Sequence, residues 1–215
     1  MKSQDIGLLL KLISLEHQEN TPSQDKGIFT WPHDWRDWEG HSDSNCIDQH
    51  TFLPTEDSEF LNYAYTTRNL QAETGIGKTQ ISESLRRCID IGLAKKDRQF
   101  GVPRANKKAL FEFIVSGIKY VFPAKLGEVT RGIATSFAAP ILQGDIISSG
   151  ELIPVWPDAR GTSKGQAVEP LFKTVTLAIR KDPDMYAMLA LIDSIRLGNA
   201  RESNIAKDKL KSFLE

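Results

Sequence analysis

Apolar residues return at three- and four-residue spacings in several separate stretches of the chain, the mark of amphipathic helices. Ile6, Leu9, Leu10, Ile13 and His17 keep that spacing, and Leu8, Leu12 and Leu15 widen the stripe, so one helix is predicted over about 6–17. From about 19 to 59 the pattern lapses into Asp, Glu, Ser, Thr, Gln, Asn and Pro, the chemistry of solvated loops. Trp31, Trp35 and Trp38 interrupt it at i, i+4 and i+7, with Pro32 after the first. A short helix is predicted there, its three rings clipping the insertion onto the main core, with an exposed partner-binding patch as the alternative. Periodicity resumes over 66–93 as two helices and a tight turn, followed by a short basic ribbon at 94–108. Asn106 suits the N-cap of a further helix carrying Leu110, Phe113, Ile114 and Gly117, with Phe111, Val115 and Ile118 beside them. Being apolar nearly all round, that helix belongs in a core or at an interface. Residues 122–170 are rich in Gly, Pro and Ser and hold no sustained period, so an ordered irregular region is expected. Helices return at about 169–180, from Pro183 behind an Asp182 cap to Leu197, and, after a stop at Gly198 and Asn199, to Phe213.

Charge changes this picture more than composition does. The chain has 215 residues, 40% of them hydrophobic, and a net charge of −1, yet the charges are segregated. Residues 16–60 hold eleven acidic and two basic side chains, residues 61–131 thirteen basic and six acidic, and residues 132–215 ten of each. A basic middle is the footprint expected of phosphate contacts, which the net charge hides. The apolar run from Ile6 to Leu15 is broken by Gly7, Lys11 and Ser14 and fits neither a signal peptide nor a membrane span, so a cytoplasmic protein without a membrane partner is expected. Cys46 and Cys88 lie in regions of different character, which argues against a disulfide framework and places Cys88 in the core.

The stretch from Tyr65 to Lys108 carries the chemistry. Thr67 is placed to cap the first helix, Leu70 to bury against the second, Gly75 to end the first helix at positive φ, and Ile76 to fill the turn. Gly77 takes the N-cap of the second helix, whose Ile81, Leu85, Cys88 and Ile89 form a buried stripe. Its other face displays Lys78, Thr79, Gln80, Ser82, Glu83, Arg86 and Arg87, a donor-rich set able to reach base edges and phosphates from the major groove. Glu83 either accepts from a cytosine or pairs with Arg87 at i+4, and the intrahelical pair is the reading taken here. Lys95, Lys96, Arg98 and Arg104 lie along the ribbon, and Arg68 on the first helix adds a further cation.

These residues together resemble the winged helix-turn-helix of bacterial regulators such as the MarR-like group, with 1–17 as the preceding helix. Gln71 and Thr74 depart from the family pattern, which has Ala and an apolar residue there, and the insertion 18–60 interrupts the usual short path. Farther along, the segments Gly117 to Ala124, Val129 to Pro140 and Pro154 to Asp158 look similar to a little-characterised family of bacterial winged-helix proteins. That likeness implies a fixed C-terminal module and brings no catalytic residue or ligand.

Other chemistries fit less well. His41, Cys46 and His50, with His33 or Asp43 as a fourth group, have a spacing that can close a zinc site but lack paired cysteines, so no metal is expected. Gly75-Ile-Gly-Lys-Thr resembles the end of a phosphate-binding loop, but the required upstream glycine is replaced by Ala72. Arg131 beside Gly132 is read as a brace on loop carbonyls rather than an anion site. No catalytic residue and no cofactor are expected.

The sequence therefore predicts a mainly α (α+β) protein: a winged helix-turn-helix over 1–122 with the acidic insertion 18–60, and an irregular and helical C-terminal module over 123–215 for assembly or partner binding. The expected activity is sequence-specific binding of double-stranded DNA for transcriptional control, not catalysis. The recognition helix, about 78–90, lies in the major groove and the wing, about 94–104, on phosphates, in a homodimer. The alternative is a protein-interaction module, an antitoxin-like partner or defence-system adaptor, using the insertion or the C-terminal module.

Overall fold

In the first helix, α1 (Ser3–Asn20), the side chains of Ile6, Leu8, Leu9, Leu10, Leu12 and Ile13 are all inaccessible to solvent. A helix apolar all round is buried all round, so α1 runs through the middle of the molecule. The computed structural model describes residues 1–20, 35–39, 57–146 and 152–214. Helices predominate and the strands form two small sheets, an α+β arrangement.

Against α1 pack α2 (Asp57–Ala64), α3 (Thr67–Thr74), α4 (Lys78–Asp90) and the ribbon strand β2 (Pro103–Ala105), while β1 (Ala94–Lys96) pairs with β2 and α5 (Lys107–Val121) packs on the helices of the second half. The second half holds β3 (Leu126–Ala134), β4 (Ile153–Pro157), β5 (Ser163–Val168), α6 (Val175–Lys181), α7 (Pro183–Leu197) and α8 (Ala200–Leu214). Asp182 caps α7 by accepting from the Met185 N–H at 3.1 Å, and Pro183 begins the first turn, as the sequence pattern predicts. Every residue from Met185 to Ile195 is buried, so one apolar core joins α1, α5, α7 and α8.

The stretch expected to be irregular contains three strands. β3 pairs antiparallel with both β4 and β5, and these two pair parallel with each other, closing a three-stranded unit. Its pattern is hidden because the beginning of β3 faces solvent on both sides, while Gly132, Gly161 and Gly165 serve close backbone approach rather than side-chain packing. A Cβ on Gly132 would collide with the Trp156 carbonyl, and one on Gly165 with that of Ile153. The helix expected over 169–180 is also shorter than predicted, beginning only at Val175.

Buried polar groups tie this unit to the helices. Asp193 on α7 accepts from Trp156 Nε1 at 2.7 Å and Thr135 Oγ1 at 3.1 Å and pairs with Arg196 at 2.6 Å. Arg196 Nε in turn donates to the Phe122 carbonyl at 2.8 Å, at the end of α5. Arg131 donates to the Gly161 carbonyl, the loop brace expected of it, and also pairs with Glu39. Trp35 and Trp38 both meet the Tyr186 ring, 6.2 and 6.1 Å between centroids, so those two rings clip the insertion to the core. The segment 35–39 is not helical: Trp38 bridges Gly161 as an added strand residue, and Asp37 accepts from the Ala134 N–H at 2.6 Å and Ser163 Oγ at 2.8 Å. Those strand contacts outweigh a local helix. Trp31 lies outside the described residues, as do His33, His41, Asp43, Cys46 and His50 of the considered zinc set. Among the described residues no helix is long and apolar enough to cross a membrane.

Candidate functional site

The α3–turn–α4 corner is fixed first by its own backbone. Thr66, rather than Thr67, caps α3 by accepting from the Asn69 N–H at 3.2 Å. Gly75 ends α3 in the left-handed region at φ 72°, and its N–H returns to the Gln71 carbonyl at 2.8 Å. Leu70 and Ile76 are buried as the spacing predicts. Thr74, polar where an apolar residue is usual, is also fully buried; its hydroxyl donates to the Leu70 carbonyl at 2.6 Å and accepts from the Ile76 N–H at 3.2 Å. Satisfied on both sides, it costs little there.

The second half of the chain then clamps this corner. Thr174 Oγ1 donates to the Thr74 carbonyl and Lys181 Nζ to the Ala72 carbonyl, each at 2.7 Å. Both are terminal carbonyls of α3 that the helix itself leaves without partners, and the ammonium sits where the helix dipole favours a cation.

Along α4, Ile81 and Cys88 are buried and Leu85 half-buried, whereas Ile89, expected in the same stripe, is 37% exposed. Ser84 takes up the inner position instead, because Asp5 reaches in from α1. Asp5 accepts from Ser84 Oγ at 2.6 Å and from Arg87 Nη2 at 2.7 Å and Nε at 3.1 Å. Burial pushes the Asp5 carboxyl up, but Arg87, the Lys2 N–H and the Ser84 hydroxyl outweigh it and hold it below the usual carboxylate range. Burial pushes the Cys88 thiol up to about 12, so it is protonated and inert.

The outer face is open. Lys78, Thr79, Gln80, Ser82 and Arg86 are exposed, with Lys78, Ser82 and Arg86 in one line at four-residue intervals. Glu83 is half-buried and lies 3.6 Å from Arg87, the intrahelical pair. Arg68 on α3 is exposed as well.

Leu93 and Asn106 hold the ribbon to the end of α4: the Asn106 N–H donates to the Leu93 carbonyl at 2.8 Å and its Nδ2 to the Gly92 carbonyl at 2.9 Å. Between the strands Asp97 accepts from the N–H groups of Gln99 and Phe100 at 2.7 and 2.9 Å, shaping the tip. Lys95, Lys96 and Arg98 project into solvent. Arg104, opposite Lys95 in register, does not: its guanidinium lies over the Tyr65 ring and forms a fork to Glu19 with two 2.7 Å bonds.

The residues selected on sequence thus fall into two sets. Lys78, Thr79, Gln80, Ser82, Arg86, Lys95, Lys96, Arg98 and Arg68 are exposed, while Arg87, Arg104 and Glu83 are engaged within the chain. Among the described residues no carboxylate forms an ion pair with Lys78, Arg86, Lys95, Lys96 or Arg98. No family model, curated protein or solved structure matches the chain, so the reading of this surface rests on its residues. Asp5, Glu19 and Tyr65 also shape the site, and sequence reasoning did not find them. Each is far from its partner along the chain, with no local spacing to mark it.

Proposed function

We propose that the chain is a winged helix-turn-helix protein that binds double-stranded DNA in a sequence-dependent way, with α4 in the major groove and the β1–β2 ribbon along the phosphates, in the service of transcriptional control. The observation that carries this reading is the separation of the cations. Those facing inward are matched by carboxylates, and those on the outer face of α4 and the ribbon have no matching carboxylate among the described residues. Such a surface attracts a polyanion, and the hydroxyl and amide groups of Thr79, Gln80 and Ser82 among the cations supply donors and acceptors for base edges. Gly77 caps α4 without a side chain, leaving first-turn N–H groups for a phosphate. The N-terminal half acts as the reader and residues 123–215 as the support that fixes the corner.

Fluorescence anisotropy with duplexes selected from a random pool tests it. Affinity is expected to fall with salt, each neutralised phosphate contributing about −0.9 to the slope of log K against log salt. The Lys78→Ala, Arg86→Ala double variant is expected to lose selected-sequence preference while its melting temperature holds. Salt-insensitive binding, or none to any duplex, removes the DNA reading. The alternative, a protein-interaction module, draws on two exposed apolar side chains beside the same ribbon, Ile91 at 55% and Phe100 at 52%. Stoichiometric co-purification of a protein partner that depends on those two side chains is its mark.

A further inference from the structure

The even balance of acidic and basic residues in the second half of the chain hides one uneven stretch. From Pro170 to Lys181 there is no carboxylate, while Lys173, Arg180 and Lys181 all carry positive charge. Arg180 pairs with Asp158, and Lys181 Nζ donates to the Ala72 carbonyl, so both are turned onto the chain itself. Lys173 is not: it is exposed, and among the described residues no carboxylate forms an ion pair with it.

Its neighbours explain why it points outward. Leu171 and Phe172 are buried, and α1 makes room for the Phe172 ring with Gly7, where a Cβ would lie 2.4 Å from it. Thr174 is anchored by its hydroxyl on the Thr74 carbonyl, and it sits so close to the turn between α3 and α4 that a Cβ on Gly75 would meet the Thr174 Cβ at 2.8 Å. Leu171, Phe172 and Thr174 are therefore fixed against the first half of the chain, and the residue between them is a lysine held out to solvent beside the approach to α4.

We infer that Lys173 contacts a DNA phosphate, so that the second half of the chain adds an anchor to the reading face as well as supporting it. This rests on the DNA-binding reading. A helix with its side chains is about 10–12 Å across and the major groove about 12 Å wide, so α4 fills the groove and a cation beside its first turn meets the phosphate wall. Neighbouring Cα atoms are only about 3.8 Å apart, so a lysine next to the Thr174 contact has the reach to stand there. The ribbon follows the other end of α4, which at 13 residues is about 20 Å long. Lys173 and the ribbon cations Lys95, Lys96 and Arg98 thus bracket the helix at its two ends. Phosphate contacts at one end leave a helix free to pivot in the groove; contacts at both fix its register.

Anisotropy titrations of the full chain with a selected duplex and an unrelated one, over a salt series, test it. Lys173→Ala is expected to lower the salt slope by about 1 on both duplexes, a loss of roughly 10-fold in affinity near 0.1 M salt that fades toward 1 M, with the melting temperature unchanged. Lys173→Arg, which keeps the charge, is expected to keep the slope. Arg201→Ala removes an exposed cation of α8, which packs on α5 and α7, and is expected to change nothing. Phosphate-ethylation interference reads the contact itself: one phosphate whose ethylation weakens the unaltered chain is expected to have no effect on the Lys173→Ala variant. An unchanged slope or an unchanged interference pattern in that variant overturns the contact, while a slope lowered by Lys95→Ala in the same series keeps the DNA reading. An equal loss in Arg201→Ala also overturns it, since the effect is then one of net charge. Binding by the unaltered chain that ignores salt, or no binding, removes both.

Discussion

Two groups of charged side chains lie about one element apart and behave in opposite ways. Between α1, α3 and α7, Lys11 is buried with its ammonium 2.9 Å from Asp182 and 3.3 Å from Glu73, and Ser14 Oγ donates to the same Asp182 at 2.5 Å. On α4 and the ribbon, Lys78, Arg86, Lys95, Lys96 and Arg98 face water. The first group holds two halves of the chain in register, its one cation already met by two carboxylates. The second contributes little to holding the fold, and so its positive potential stays available to a ligand. Charge in a sequence does not say which of these it is; the partner does.

The comparison is broken most sharply at Lys11. Burial alone would lower its ammonium, but Asp182 and Glu73 outweigh burial and hold it above the usual lysine value, so it is charged. Lys11→Met leaves those carboxylates without their cation and is expected to cost about 3–5 kcal/mol in urea unfolding. A loss near zero would mean that the cluster contributes no net cohesion and that the contrast with the outer cations is empty.

Asp5 stands between the two groups, being buried yet joined to a residue of α4. Its folded-state pKa lies below the unfolded one, so its contribution is fully present above the unfolded value, near pH 4, and is lost as pH falls through the lower folded value. Asp5→Asn is expected to remove about 1.5–3 kcal/mol at neutral pH, the usual range for hydrogen bonds to a charged group. It should also flatten the acid limb of the melting profile. An unchanged limb would place the acid sensitivity elsewhere.

How far these groups can be read from sequence follows from how local their causes are. The turn glycine Gly75, the Asn106 and Asp182 caps and Pro183 all act within four residues, and the sequence marks each one correctly. The neighbouring Thr66 takes the capping role assigned to Thr67, an error of one position at a helix end. What escapes is long-range. Arg87 and Arg104 read as outward cations because their partners Asp5 and Glu19 lie 82 and 85 residues away. β3, β4 and β5 escape for a related reason, since their glycines are chosen by backbones that meet only in the folded chain.

Arg86 and Arg87 are adjacent in sequence and opposite in role, which makes them the closest test of the contrast. Arg86→Ala is expected to weaken binding of a selected duplex on the order of 10- to 100-fold, the usual value of one good base or phosphate contact, without changing stability. Arg87→Ala is expected instead to lower the melting temperature, because it strips the buried Asp5 of its cation. Affinity measurements at matched salt, paired with thermal melts, separate the two. If both variants lose affinity equally and neither loses stability, Arg87 faces DNA and its bond to Asp5 is incidental.

The smallest expected effect lies on the ribbon, where Lys95 and Arg104 are cross-strand neighbours. Arg104 is held by both Glu19 oxygens and by Tyr65, with its hydrogen bonds directed inward, so it has little to offer a phosphate. Lys95 and its neighbour Lys96 are exposed and, among the described residues, have no ion-pair partner. Lys95→Ala and Lys96→Ala are therefore each expected to reduce the salt slope of DNA binding by about 1, uniformly across duplex sequences, while leaving the melting temperature in place. Arg104→Ala is expected to lower the melting temperature, because Glu19 loses its fork and Tyr65 its cation, yet to leave the slope unchanged. Binding isotherms at a series of salt concentrations decide between them. An Arg104 variant whose slope falls as much as that of Lys95 would show that the Glu19 pair opens on DNA, and the division between inward and outward cations would then fail on the ribbon.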